Sequence, residues 1–266
     1  MTPEGKRHTE QLRSCADEIR AEINDFTLKT FKCRGGRLGS GMGTLLESLW
    51  GFYSREALSR RSPDEYDLAW IVDNEYNDFA LLQAGVDWDS VAGDGEHLRI
   101  EAKSMNLGAD ESKGHFDPLL KEIGEDDLLL VLVWRWTVVE ENIGLVYPEV
   151  VGEFLGPAAE IAELRDALHL ARGGNFIGAG ECPDCDEADC VHIGEPLNAR
   201  GVRERRHGPP STKGPGTSFA ANFGGLKRMV ATRGEVAKAV AQQQRSHPIR
   251  AEYLDFVASF PKLRDG

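Results

Sequence analysis

The chain has 266 residues, 41% of them hydrophobic and 28% charged, which is the balance of a globular protein with room for one sizeable core. No run approaches the roughly 18–20 apolar residues of a membrane span and no apolar leader opens the chain, so a cytoplasmic protein with no membrane partner is expected. A formal charge of −13 argues against nucleic-acid binding by whole-molecule attraction but leaves room for a local basic patch, and five cysteines, three of them within nine residues, argue against a secreted disulfide framework.

In chain order, Thr9 to Phe31 reads as a helix, with Leu12, Cys15, Ile19, Ile23, Phe26 and Phe31 at helical spacing. A glycine-rich bend follows from Arg34 to Gly43. No Lys-Ser or Lys-Thr pair closes it, so it reads as a loop entering a helix rather than a phosphate cradle. The next helix spans Thr44 to Arg60 and carries Glu47 in its first turn, where the helix dipole favours an acid. Tyr66 to Val72 reads as a strand.

Val86 to Val91 and Leu98 to Ser104 read as two strands joined by the turn Gly93-Asp94-Gly95-Glu96, a hairpin signal. Side chains alternate along a strand, so Glu101 and Lys103 share one face while Leu98, Ile100 and Ala102 take the other. Closing the hairpin is expected to bring Asp87 or Asp89 beside Glu101. Beyond a polar loop and a short helical stretch from Phe116 to Ile123, the apolar run Leu128 to Trp136 reads as a central strand covered on both faces. Ile143 to Tyr147 reads as another strand, ended by Pro148. Ala158 to Arg172 reads as an amphipathic helix stopped by Gly173-Gly174. Composition changes at Gly178, and helical character returns over Phe219 to Gln244 and Ala251 to Phe260. The simplest division is a core over residues 1–177 and an extension over 178–266.

Two carboxylates and a lysine at one sheet corner suit a hard divalent cation such as Mg²⁺, which prefers oxygen ligands. A cation held there polarises a phosphodiester and lowers the pKa of bound water, while Lys103 orients or helps deprotonate that water and neutralises developing charge. An Asp in one strand followed by Glu101-Ala102-Lys103 in the next resembles the PD-(D/E)xK nuclease superfamily, over roughly Thr44 to Trp136. Val86 stands where the motif's proline would be. The resemblance implies a restriction-endonuclease-like α/β fold, a mixed central sheet flanked by helices. It implies a Mg²⁺-dependent DNA endonuclease with Asp87, Glu101, Lys103 and Glu47 as catalytic residues. Asp87, Asp89 and Glu101 are the candidate Mg²⁺ ligands.

Downstream, Cys182, Cys185, Cys190 and His192 follow a C-x2-C-x4-C-x-H pattern. Thiolates and imidazole suit tetrahedral Zn²⁺, and four protein ligands leave no open position, so a structural site is expected in a zinc-stabilised, loop-rich and helical extension. Arg200, Arg203, Arg205, Arg206 and Lys213 form a basic island suited to DNA phosphates or guanine edges. The function expected is a type II restriction or defence endonuclease acting on double-stranded DNA, with a homodimer as one form of it. The alternative is a zinc-containing nucleic-acid-binding or regulatory protein that does not cut.

Overall fold

The computed structural model describes residues 1–34, 41–71, 77–108, 114–183, 189–203, 223–226 and 235–265. The chain divides into two compact units. The first comprises Met1–Glu111, Gly124–Ala158 and Ser259–Gly266; the second comprises Ser112–Ile123 and Ala159–Ala258. Where the sequence reading drew one boundary at residue 178, helix α4 (Ala158–Ala171) falls almost wholly in the second unit and the final helix Phe260–Asp265 in the first. No described helix is long and apolar enough to cross a membrane.

The first unit opens on two helices in place of the one expected. Helix α1 (Pro3–Arg13) starts early because Thr2 caps it: its hydroxyl accepts the Gly5 N–H at 2.9 Å, and Pro3 fits the first helical position. Thr2 is itself tied to Asp126 through its N–H and hydroxyl, each at 2.7 Å. The helix breaks at Ser14-Cys15, and α2 (Ala16–Thr30) follows. Helix α3 (Met42–Arg61) begins earlier than its periodicity suggested, so Glu47 lies past the first turn and gains little from the helix dipole. Residues 35–40 of the glycine-rich bend lie outside the described residues.

Six strands form one mixed sheet in the order β1-β6-β5-β4-β3-β2. They are β1 (Cys33–Arg34), β2 (Tyr66–Trp70), β3 (Phe79–Gln83), β4 (Glu96–Asn106), β5 (Leu128–Glu140) and β6 (Leu145–Pro157). Among the described residues, only the β4–β5 pair is parallel. The α/β expectation of a mixed sheet flanked by helices therefore holds. Leu128 to Val133 of β5 are all solvent-inaccessible. Burying each such aliphatic side chain contributes roughly 1.5–3 kcal/mol, so this strand anchors its neighbours. Strand β6 runs through Pro148, opposite Trp136, rather than ending at it. Among the described residues, β1 pairs with Leu145 and Val146 and leaves Pro148 on an edge stretch of β6, where proline is tolerated.

The largest correction concerns the partner of β4. Val86 to Val91 is not a strand; residues 86–89 are irregular and turns follow. The strand paired with β4 is Phe79–Gln83, with Phe79 opposite Ile100 and Leu81 opposite Leu98. The physical reason lies in its side chains: Phe79, Ala80, Leu81 and Leu82 are all buried, whereas the acidic run from Asp87 to Asp89 offers a sheet little to bury.

Helices α1–α3 and one face of the sheet share a core that includes Leu12, Ile19, Leu46, Trp50, Ile100 and Ala102. In the second unit, the stretch from Phe116 to Ile123 holds only a three-residue 3₁₀ turn, Leu120–Glu122. There α4 is held by buried Arg165, which donates to the carbonyls of Phe116 and Pro118. A two-stranded ribbon, β7 (Asn175–Phe176) with β8 (Pro196–Leu197), frames the cysteine segment. Helices Glu235–Gln244 and Pro248–Ala258 complete the unit, the second carrying Arg250, whose guanidinium pairs with Glu160 and Glu163.

Candidate active site

Strand β4 outruns β3. Phe79 pairs with Ile100 and nothing in β3 faces β4 beyond that point, while β5 follows β4 in register as far as Asn106. Among the described residues, no strand pairs with this edge of β4 past Ile100, and side chains meet it instead. The Asp78 N–H donates to the Ile100 carbonyl at 2.9 Å, which shows that residue 100 directs its main-chain groups to the β3 side. By alternation, so do Ala102 and Ser104. The Asp78 carboxylate then turns back and accepts the Ala102 N–H at 2.8 Å.

This places Asp78 where Asp87 or Asp89 was expected. The Glu101 carboxylate is ion-paired with the Lys103 ammonium, and Lys103 Nζ lies 3.9 Å from Asp78 Oδ2. The ammonium also donates to the Ala102 carbonyl at 3.0 Å. Glu47, on α3, is near enough for the Lys103 and Asp78 charges to act on its carboxylate. Four of the groups that matter here, Asp78, Glu101, Lys103 and Glu47, thus come together. Asp87 and Asp89 do not join them. Both lie in the β3–β4 loop, where Asp89 caps the N–H groups of Val91 and Ala92 at 2.8 and 3.0 Å. Asp78 was readable only from its place directly before an apolar run of strand length.

The electrostatics are those of a crowded acidic pocket with too little positive charge. Glu101 is 4% exposed; burial pushes its carboxyl up to about 8, against the pull of Lys103 and with a further push from Asp78. One of its oxygens, Oε2, is buried with no hydrogen-bond partner. Burial also raises Glu47, opposed by Lys103. For Lys103 burial works against the ammonium, but Glu101, Asp78 and Glu47 outweigh it and hold the group above the ordinary lysine range. Carboxyl oxygens are the donors a hard divalent cation prefers, but the ligand atoms of Asp78, Glu101 and Glu47 do not all lie within 4.8 Å of one another as they stand.

A second cluster lies in the other unit. The ligand atoms of Cys182, Cys190 and His192 all lie within 4.8 Å of one another, and Cys182 Sγ is 3.5 Å from His192 Nδ1. A zinc tetrahedron with Zn–S bonds of about 2.3 Å has edges of about 3.8 Å, so small adjustments close the set. Both thiols are buried with Ile177 and Leu197 in a small core of their own, and the cluster has the donors to hold a metal ion. Cys185 lies outside the described residues. Of the basic island, Arg200 is exposed in a turn, whereas Arg203 is half-buried and ion-paired with Glu195 at 2.8 Å. Arg205, Arg206 and Lys213 lie outside the described residues. Cys15 is a core residue of the helical layer, as its spacing implied.

Compared with family models, curated proteins and solved structures, the chain finds no match.

Proposed function

We propose that the chain is a Mg²⁺-dependent endonuclease that hydrolyses DNA phosphodiesters on a restriction-endonuclease-like sheet, in the service of restriction or defence. The observation that carries this reading is the pairing of Lys103 with Glu101 and its approach to Asp78 beside β4, with Glu101 Oε2 buried and unpartnered and the Lys103 and Asp78 charges acting on Glu47. Asp78 and Glu101 are the cation's principal carboxylates, with Glu47 as an additional acid and the Ala102 carbonyl at the same edge. When bound, the cation supplies Lewis-acid activation of the scissile phosphate and of a water.

The remaining work belongs to the chain. Lys103 is held as an ammonium by the surrounding carboxylates, so its role is to orient the attacking water and neutralise charge growing on phosphorus, rather than to remove a proton. Glu101, pushed up to about 8, holds a proton at neutral pH that competes with the cation for its oxygens, and burial raises Glu47 as well. Duplex DNA is the proposed substrate, and a pair of chains acting on opposite strands suits two-fold symmetric sites. The thiol–imidazole cluster completes the reading as a structural Zn²⁺ site, with Cys185 as the fourth ligand that the spacing provides.

The test is cleavage of supercoiled plasmid in Mg²⁺ by the wild type and by Glu101→Ala and Lys103→Ala. Cleavage by the wild type alone supports the proposal. Wild-type protein that binds DNA but cuts none across Mg²⁺, Mn²⁺ and Co²⁺ leaves the non-cutting, zinc-containing DNA-binding protein as the reading.

A further inference from the structure

Away from the carboxylate corner, three cations of the first unit line one open cleft of about 380 Å³: Arg20 of α2, Arg135 of β5 and Lys262 of the final helix. In a chain of net charge −13 that grouping runs against the composition. The volume lies at the lower end of small-molecule sites, about 300–1,000 Å³, and exceeds what a bare oxyanion fills.

The cleft is built on fixed parts. Arg135 is held along one edge: its Nε donates to Glu149 at 3.3 Å and to Thr137 at 3.2 Å, and its Nη1 donates to the Leu263 carbonyl at 2.8 Å. Among the described residues its Nη2 makes no hydrogen bond, so that end of the guanidinium fork keeps its donors for a ligand. Glu149, which also lines the cleft, is engaged by Arg135 and by the Thr137 hydroxyl at 2.6 Å. Asn24 takes both main-chain groups of Val150, at 2.9 and 2.8 Å, and so locks α2 to β6 where both line the cleft. Val151 is the extra residue of a bulge, since Val133 faces Gly152 and Trp134 faces Val150. Bulges re-aim side chains beside functional sites.

The other two cations are available. Arg20 donates to Asp17 at 2.6 Å, but that carboxylate is 92% exposed, so water screens the pair and it yields readily to a ligand. Glu153 also meets the Arg20 charge, but burial pushes its carboxyl up to about 7 and no hydrogen bond joins the two. Lys262 is exposed and forms no ion pair among the described residues.

We propose that this cleft binds a small phosphomonoester of nucleotide size, its phosphate taken by Arg20, Arg135 and Lys262. One guanidinium fork satisfies both oxygens of a carboxylate, whereas the three terminal oxygens and double charge of a phosphate answer three separate cations. Val150 and Val151 give the rest of the ligand an apolar wall. The site goes beyond the nuclease reading and does not depend on it.

The test is calorimetric titration of the full chain without added divalent cation. The probes are deoxyadenosine monophosphate, inorganic phosphate, deoxyadenosine and an oligonucleotide lacking terminal phosphates. The monophosphate is expected to bind, more weakly as salt rises, and the nucleoside not to bind. Arg20→Gln and Lys262→Gln, which remove no buried hydrogen bond, should each weaken the monophosphate roughly tenfold. Arg135→Lys, which keeps the charge and loses the fork, should also lose affinity. Lys29→Gln, which removes an exposed cation of α2 outside the cleft, should bind like the wild type. No binding of the monophosphate, or binding that Arg20→Gln and Lys262→Gln leave intact, overturns the site. So does an equal loss in Lys29→Gln, which marks bulk charge. Inorganic phosphate that binds as tightly as the monophosphate overturns the nucleotide-sized ligand. Oligonucleotide binding with the same dependence on Arg20 and Lys262 overturns the small molecule in favour of a strand. DNA cleavage enters none of these readouts, so the nuclease reading and this site fail separately.

Discussion

Asp78 and Ala102 are joined by one hydrogen bond, from the Ala102 N–H to the Asp78 carboxylate at 2.8 Å, across the point where β3 ends and β4 continues. That bond places the first acid of the candidate site against the residue between Glu101 and Lys103. Asp78→Asn keeps the shape and removes the charge. It is expected to reduce Mg²⁺-dependent plasmid cleavage by at least about 100-fold, on the scale typical for losing a group that stabilises transition-state charge. Asp87→Asn is expected to cleave like the wild type. Equal activity of the two variants would remove Asp78 from the site.

The contrast between those two aspartates shows what was legible. Glu101 and Lys103 were readable because alternation along an apolar strand puts them on one face whatever the neighbours are. Glu47 was readable as an acid on a helix near the site, though the charge that favours its carboxylate is Lys103 rather than the helix dipole. The identity of the neighbouring strand was not readable from turn signals. Gly93-Asp94-Gly95 marks a tight turn, and the chain before it is a loop; register was decided by burial of Phe79 to Leu82. The cysteine pattern was readable because metal donors at close spacing need few neighbours to meet. Of the basic island, Arg200 and Arg203 fall among the described residues, and Arg203 is ion-paired with Glu195.

Glu101 makes the metal-free protein sensitive to alkali. Its folded-state pKa of about 8 lies above the ordinary 4.5, so the folded protein holds a proton that the unfolded chain releases. The stability this contributes is complete below about pH 4.5 and is lost as pH rises through about 8. Glu101→Gln should therefore raise the melting temperature in chelator at pH 8, by roughly 5 °C, and change it little at pH 4.5. Wild type, unlike this variant, should regain the loss when Mg²⁺ is added at pH 8. Calorimetric scans at the two pH values check both statements.

A pair of stacked imidazoles is expected to add to the protein's acid sensitivity. His8 of α1 and His97 of β4 lie 4.2 Å apart between ring centroids, at 18°, and His8 Nδ1 is 3.1 Å from the Tyr66 hydroxyl. His97 is the extra residue of a bulge, since Leu98 faces Leu81 while Glu96 faces Leu82. Burial lowers both pKa values below 6.5, and for His8 the neighbouring His97 adds to it. Folded-state pKa values below the unfolded one mean that stability present above pH 6.5 is lost as pH falls. His97→Phe should flatten the drop in the urea midpoint between pH 7 and pH 5. An unchanged drop would place acid sensitivity elsewhere.

Metal removal should act on the two sites differently. The thiol–imidazole cluster sits in a core of few apolar residues, Ile177, Leu197 and Ile193 beside the two cysteines. A core that small leaves metal binding to supply much of the local folding energy. Purified protein is expected to carry about one zinc per chain by elemental analysis. Cys190→Ser should lose it and become susceptible to proteolysis between residues 175 and 203, with β2–β6 still protected. Zinc-free protein that resists proteolysis there would show that the segment folds without a metal.

Gly51 and Phe79 provide a test of how the helical layer aligns the site. Phe79 follows Asp78 directly, and its buried ring packs against Trp50 at 5.6 Å between centroids. A Cβ on Gly51 would fall on the Phe79 ring, 2.9 Å from Cζ and closer still to Cε1. A ring clamped between Trp50 and Trp70 has little room to yield. Gly51→Ala forces either the ring or the start of β3 to move, and overpacking of this kind costs about 1–3 kcal/mol. Since Asp78 is anchored at that start, its bond to the Ala102 N–H shifts with it. The variant should show a lowered urea midpoint together with weaker Mg²⁺ binding. Phe79→Leu in the same chain removes the obstructing ring edge and should recover part of both. Loss of stability with unaltered Mg²⁺ affinity would show that the position of Asp78 does not depend on the Gly51–Phe79 contact.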